Sequence, residues 1–199
     1  MTYVESINKA LDEMLASDPR SLVCGQLVKW GCAGVTNGLF EKYPKQVITY
    51  PVSEALMNAS AMGLALAGTR VVMIHERMDF VAVGMDALVN HIPIWPRKCG
   101  VDLPLTIVGI VGKGHGQGAQ HSKDLTNWFS DFEGWAAYRA DSVARAYGTM
   151  RESTRQKWPV FCALYRELFS SSEMAAYRRN SDIIGLCGAG ESYERAFYR

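Results

Sequence analysis

Two stretches of the chain carry side chains that could do chemistry. The first is YPVSEALMNASAMGLALAG, in which Glu54 stands at the mouth of a long run of small residues. An acid in the first turn of a helix is ordinarily a favourable partner for the helix dipole. The same acid, poised and desolvated, is also the group that moves protons in general acid–base catalysis. The second stretch is GKGHGQGAQHS, a glycine-rich loop with His115 and His121. A histidine in such a place can hydrogen-bond a substrate oxygen or carry a proton. The spacing alone allows a local, purely structural role for each of these residues.

The elements that must position them alternate. YVESINKALDEML has apolar residues at intervals of three and four and reads as a helix ending near Ser17, Asp18 and Pro19. SLVC is a buried-strand run, GCAGVTNGLFEKYP a glycine-rich loop leading into a helix stopped by Pro44, and QVITYPV a second strand. SEALMNASAMGLALAG reads as a helix, TRVVMIHE as a strand, FVAVGMDALVNHI as a helix and LPLTIVGIVG as a strand. DLTNWFSDF and SVARAYGTMREST read as helices, GWAAYRA as a short strand and PVFCALYR as the last strand. Nearly continuous apolar strands alternating with helices predict an α/β fold, a mostly parallel sheet with helices on both faces. Ligands of such sheets gather at the carboxyl ends of the strands, where both the VSE junction and the GKGHGQGAQHS loop fall.

The 199 residues make one large domain, or one domain with a short appendage. With 21 basic and 20 acidic residues the net charge is +1, which gives no electrostatic case for nucleic acid or an anionic membrane. No stretch reaches the roughly 18 apolar residues of a membrane span, and the first residues do not read as a signal peptide. Five cysteines, an odd number with no CxxC pair, predict reduced thiols in a cytoplasmic protein.

Laid out in this order, the sequence resembles the thiamine-diphosphate pyrimidine-binding domain of the transketolase type. It is most similar to the beta subunit of the 2-oxo acid dehydrogenases of the pyruvate dehydrogenase E1 type. The likeness runs through MTYVESINKALDEMLASDP, GVTNGLFEKYP, YPVSEALMNASAMGLALAGTR, MDFVAVGMDALVNH and GQGAQHS. It divides the chain into a pyrimidine-binding domain at 1–170 and a tail at 171–199 that resembles only the start of the family's C-terminal domain.

The resemblance implies roles. Glu54 matches the acid that contacts N1' of the aminopyrimidine, stabilising the imino form whose exocyclic nitrogen takes the proton from C2 of the thiazolium. Phe80 matches the aromatic packed on that ring, and Val52 the apolar residue before the Ser–Glu pair. His121 matches the histidine that faces the reacting atoms of the substrate. Gln120 and Ser122 are read as shaping the loop and capping the next helix. No residue of this chain is assigned to metal. The diphosphate and its Mg²⁺ are expected on a diphosphate-binding alpha-type subunit, in a heterodimer or heterotetramer.

Two departures stand out. Gln26 occupies the place of a second family acid, and a glutamine can hydrogen-bond but not carry charge. Glu76 and Arg77 replace apolar and aromatic residues beside the cofactor, and Glu76 is assigned to the cofactor pocket as a place where substrate class could change. The implied function is decarboxylation of a small 2-oxo acid with acyl or aldehyde transfer, inactive without the partner. A non-catalytic scaffold or regulatory subunit and a ketol-transferring transketolase-like subunit are the alternatives.

Overall fold

The computed structural model describes residues 1–172. The chain opens with α1 (Tyr3–Ser17), started by a capping box in which Thr2 and Glu5 exchange side-chain and backbone hydrogen bonds. The strands are β1 (Leu22–Gly25), β2 (Val47–Thr49), β3 (Val71–His75), β4 (Leu105–Val111), β5 (Ala136–Ala140) and β6 (Val160–Tyr165). They form one six-stranded sheet in the order β2-β1-β3-β4-β6-β5, and every pairing is parallel. Between them lie α2 (Leu39–Lys42), α3 (Glu54–Leu66), α4 (Ile94–Cys99), α5 (Thr126–Asp131) and α6 (Val143–Ser153).

The period of two along each strand sorts the core into two layers. Val72 and Ile74 of β3, Val108 and Ile110 of β4, and Cys162 and Leu164 of β6 point to one face, where they meet Ile7 and Leu11 of α1 and Met150 of α6. Val71, Met73, Ile107 and Phe161 point to the other face, against Met57 and Ala61 of α3 and Phe129 of α5. Both faces are covered, so a polar residue finds solvent only at the strand ends.

The segment expected as one helix after β3 is three pieces. Met78–Gly84 is a 3₁₀ segment, Ala87–His91 a π-helical turn, and α4 follows. The wide turn is supported from outside, because the buried indole Nε1 of Trp135 donates to the carbonyl of Leu88 at 2.8 Å. α4 escapes a pattern reading because of Pro93 and Pro96, yet both prolines sit where a helix has no internal use for an N–H. β2 is shorter than QVITYPV, since the ladder ends before Pro51, which lacks an N–H to donate. The assignment of 171–199 to a second domain's opening lies, from residue 173 onwards, outside the described residues.

Candidate functional site

β1 pairs with β2 on one side and β3 on the other, so the chain direction across the sheet reverses between β1 and β3. The crevice outside such a reversal is where open parallel sheets hold ligands. A cleft of about 360 Å³ lies there. Its walls come from segments that follow four different strands: Gln26 after β1, Glu54 after β2, Arg77 after β3 and His121 after β4.

Glu54 is the first residue of α3, and its residue is 8% exposed. Its carboxylate does not cap its own helix. Oε1 instead accepts a hydrogen bond of 3.1 Å from Nε2 of Gln26, which also lies 3.7 Å from the sulfur of Met57. The helix entrance is held close to the next segment by Gly84, where a Cβ would come within 2.8 Å of the Glu54 carbonyl oxygen and closer still to Asn58 Nδ2. Glycine is required there because two backbones touch.

Phe80 and His121 line the same cleft. Their rings meet edge to face at 5.4 Å and 74°, and Phe80 keeps 37% exposure. An aromatic ring left partly uncovered in a cleft that also holds a carboxylate presents a flat apolar surface that a heterocycle can cover. Nδ1 of His121 is buried and has no hydrogen-bond partner among the described residues. The loop that carries His121 is tied down at Asp79, whose Oδ1 accepts the backbone N–H of Lys123 at 3.1 Å. Val52, at the rim, is 80% exposed.

Glu76 and Arg77 are both in the wall. Burying either charge alone would be costly, and they are not alone. Arg77 Nη1 donates to the Glu76 carbonyl at 2.8 Å and lies 3.8 Å from its carboxylate, while Nε donates to Gln117 Oε1 at 2.8 Å. The sequence-predicted set Val52, Glu54, Glu76, Phe80 and His121 is thus brought to one cleft. His115 is not part of its wall and is exposed. Ser122 does not cap α5 as expected. It donates to the Gly118 carbonyl at 2.7 Å, and Asp124 takes the N-terminal contacts of α5 from Thr126.

Sequence reasoning passed over His75, Asn58, Asp79 and Gln117. His75 is 1% exposed at the end of β3 and lines the cleft. Its only sequence signal was a histidine closing an otherwise apolar strand. The cysteines are inert by contrast: Cys24, Cys32 and Cys162 are buried free thiols whose pKa burial pushes up to about 12. Among the described residues no group of three or more His, Cys, Asp or Glu side chains could hold a metal ion, and no helix is long and apolar enough to cross a membrane.

Comparison with known proteins shows the family and the fold. The family described as "Transketolase, pyrimidine binding domain" matches residues 1–171. The mitochondrial pyruvate dehydrogenase E1 component subunit beta-1 of Arabidopsis thaliana is 30% identical over 184 residues, covering 88% of this chain and 51% of that protein. The beta subunit of acetoin:2,6-dichlorophenolindophenol oxidoreductase from Cupriavidus necator is 26% identical over 178 residues, covering 82% of this chain and 53% of that protein. Among solved structures, a split-gene transketolase described as an inactive beta4 tetramer superposes with a TM-score of 0.69 at 18% identity, over 89% of this chain and 54% of that one. The chain spans about half the length of the curated relatives it matches. It belongs to the transketolase pyrimidine-binding domain family and is E1 beta-like within it.

Proposed function

We propose that this chain is the pyrimidine-binding, beta-like subunit of a thiamine-diphosphate-dependent enzyme that acts on a 2-oxo acid by decarboxylation and acyl or aldehyde transfer. The observation that supports it most is the presence, in one cleft, of a nearly buried carboxylate, Glu54, and a partly uncovered aromatic ring, Phe80. An aminopyrimidine is flat, has a ring nitrogen that exchanges a proton with a carboxyl group, and needs a dry seat. The residues present fit that group: a ring to lie on, a carboxylate in the same cleft, and a buried imidazole nitrogen, on His121, without a partner among the described residues.

When bound, thiamine diphosphate supplies the carbon nucleophile and the electron sink for loss of carbon dioxide. Glu54 would exchange a proton with the pyrimidine ring nitrogen, and its burial keeps competing water away. Phe80 and Val52 would fix the ring plane. His121, with Nδ1 unengaged, would hold a proton or a hydrogen bond at a substrate oxygen. Glu76, anchored by Arg77, would present a polar group where the relatives' pattern is apolar.

The diphosphate and Mg²⁺ belong on an alpha-type partner subunit in this reading, giving a heterodimer or heterotetramer that is inactive as separate chains. Exposed apolar side chains close in sequence to the cleft residues support such a cover: Leu27 beside Gln26, Val52 before Glu54, and Val83 after Phe80. Gln26 in place of an acid favours the second reading, a non-catalytic scaffold or regulatory subunit.

The test is isothermal titration of thiamine diphosphate with Mg²⁺ into the protein alone and mixed with a candidate diphosphate-binding subunit, with Glu54→Ala in parallel. Binding and 2-oxo acid turnover confined to the mixture, with Glu54→Ala retaining assembly but losing turnover, support the enzyme. Assembly without cofactor binding supports the scaffold and overturns the catalytic reading.

A further inference from the structure

His75 is a buried polar residue that the roles above do not use, and its surroundings determine its chemical state. Asn58, one turn into α3, donates from Nδ2 to the carbonyl of Gly84 at 3.3 Å. That contact orients the amide, because the opposite orientation would set two oxygens against each other. Oδ1 of Asn58 therefore faces Nε2 of His75, at 2.8 Å. An amide oxygen only accepts, so the proton of the imidazole sits on Nε2.

The ring is also neutral. It is 1% exposed, burial pushes its pKa down to about 4, and no charged group is hydrogen-bonded to it among the described residues. A neutral ring protonated at Nε2 has a bare lone pair on Nδ1. That Nδ1 is buried and has no partner among the described residues, although His75 forms part of the wall of the cleft that Glu54 also lines. A buried acceptor without a donor is destabilising unless something else supplies one.

We propose that His75 is a ligand-reading residue of this cleft, its Nδ1 accepting a hydrogen bond from an N–H or O–H group of the bound molecule, with Asn58 and Gly84 behind it holding the tautomer. The inference rests on the proposed function for the identity of the ligand. Two donors share the required chemistry: the exocyclic amino group of the aminopyrimidine and a hydroxyl group on the substrate. The site selects against a ligand that presents another acceptor to Nδ1, since two lone pairs would then face each other in a dry wall.

Glutamine can place an amide nitrogen where Nε2 was and keep Asn58 satisfied while deleting the Nδ1 acceptor. Asparagine can place a polar oxygen near Nδ1 while giving up the contact to Asn58. The experiment uses the full chain mixed with its diphosphate-binding subunit, with ¹⁵N-histidine labelling of this chain. Thiamine diphosphate with Mg²⁺ is titrated first, then 2-oxo acids with and without a hydroxyl group. The free protein should show His75 protonated at Nε2 and bare at Nδ1.

If the amino group is the donor, thiamine diphosphate alone shifts the Nδ1 resonance, and His75→Gln weakens its binding roughly tenfold, the size of one neutral hydrogen bond. His75→Asn then binds more tightly than His75→Gln. If a substrate hydroxyl is the donor, the cofactor leaves Nδ1 unmoved and only the hydroxylated acid shifts it, with a roughly tenfold preference lost in His75→Gln. Protonation at Nδ1 in the free protein overturns the inference and leaves the proposed function standing. So does a wild type that binds cofactor and turns over both acids with Nδ1 unmoved. A wild type that binds no thiamine diphosphate with any partner overturns the proposed function and this docking role with it.

Discussion

The side-chain amide of Gln26 reaches across from the end of β1 and donates a 3.1 Å hydrogen bond to the carboxylate of Glu54 at the start of α3. A neutral donor thus stands where the family resemblance implies an acid. The contact satisfies a carboxylate oxygen that α3 does not, and leaves Glu54 as the single acid at that point of the cleft. A glutamine there holds the hydrogen bond to Glu54 but brings no titrating proton of its own.

Gln26→Glu should therefore put two carboxylates within hydrogen-bond distance, and one of them will hold a proton at a pH where ordinary carboxyls are ionised. The folded variant then binds more protons than its unfolded chain. Stability that is present at low pH is lost as the pH rises through that titration. Urea midpoints measured from about pH 5 to about pH 8 should fall for Gln26→Glu relative to the parent. A constant offset across that range would mean the two groups do not share a proton.

Glu54→Gln keeps the size of the side chain and its place beside Gln26 but cannot exchange a proton. Mixed with the diphosphate-binding subunit of the proposed function, it should lower kcat by about 10²- to 10⁴-fold, the range of a lost acid–base group. Its thermal midpoint and its assembly with the partner should stay near those of the parent. Unchanged kcat would remove Glu54 from the chemistry.

The histidine in the wall gives a pH signature of opposite sign. His75 has a pKa pushed down to about 4 in the fold by burial, against about 6.5 when unfolded. Between those values the unfolded chain takes up a proton that the folded chain refuses. The contribution is intact above about pH 6.5 and is lost as the pH falls toward 4, with an upper bound of about 3 kcal/mol. His75→Gln has no such titration, so the stability difference between it and the parent should change in its favour as the pH drops through that window. A parallel pair of pH profiles would show that His75 is solvated.

Much of the fold was legible because the strands are apolar on both faces and the helices between them are patterned at three and four. Val72 and Ile74 alternating with Val71 and Met73 leave β3 no choice but to be buried on both sides. The 3₁₀ and π segments between Met78 and His91 were not legible, since their geometry depends on Trp135, which lies 47 residues away from the Leu88 carbonyl it binds. For the same reason the predicted residues Glu54, Phe80 and His121 could be named from motifs. His75 could not, because its tautomer follows from Asn58 and Gly84, and no local pattern links those three.

Gly112, just past β4, shows how closely the loop with His121 returns to the sheet. A Cβ there would overlap the carbonyl oxygen of His121. Gly112→Ala should cost about 1–3 kcal/mol in overall stability, as overpacking does. It should also disturb the edge contact between Phe80 and His121, so turnover in the proposed two-subunit assembly should fall more than the stability change accounts for. Turnover that tracks only the folded fraction would separate this glycine from the site.

Asp79 should control the same loop from the other end. Its side chain is 4% exposed, its Oδ1 accepts the Lys123 N–H at 3.1 Å, and the ammonium of Lys123 lies 3.8 Å away. Its Oδ2 is buried without a partner among the described residues, a penalty that offsets part of what the other oxygen contributes. Removing the whole group by Asp79→Ala should then change global stability by only about 1 kcal/mol. The loop should respond far more, because the same oxygen holds its C-terminal side. Hydrogen exchange at Lys123 should accelerate, proteolysis within 113–123 should appear, and the Phe80–His121 contact should loosen. Asp79→Asn keeps the accepting oxygen and removes the carboxylate's charge, so it should restore loop protection to near the parent level. If Asp79→Asn were as exposed to protease as Asp79→Ala, the charge on Lys123 rather than its backbone N–H would be what anchors the loop beside His121.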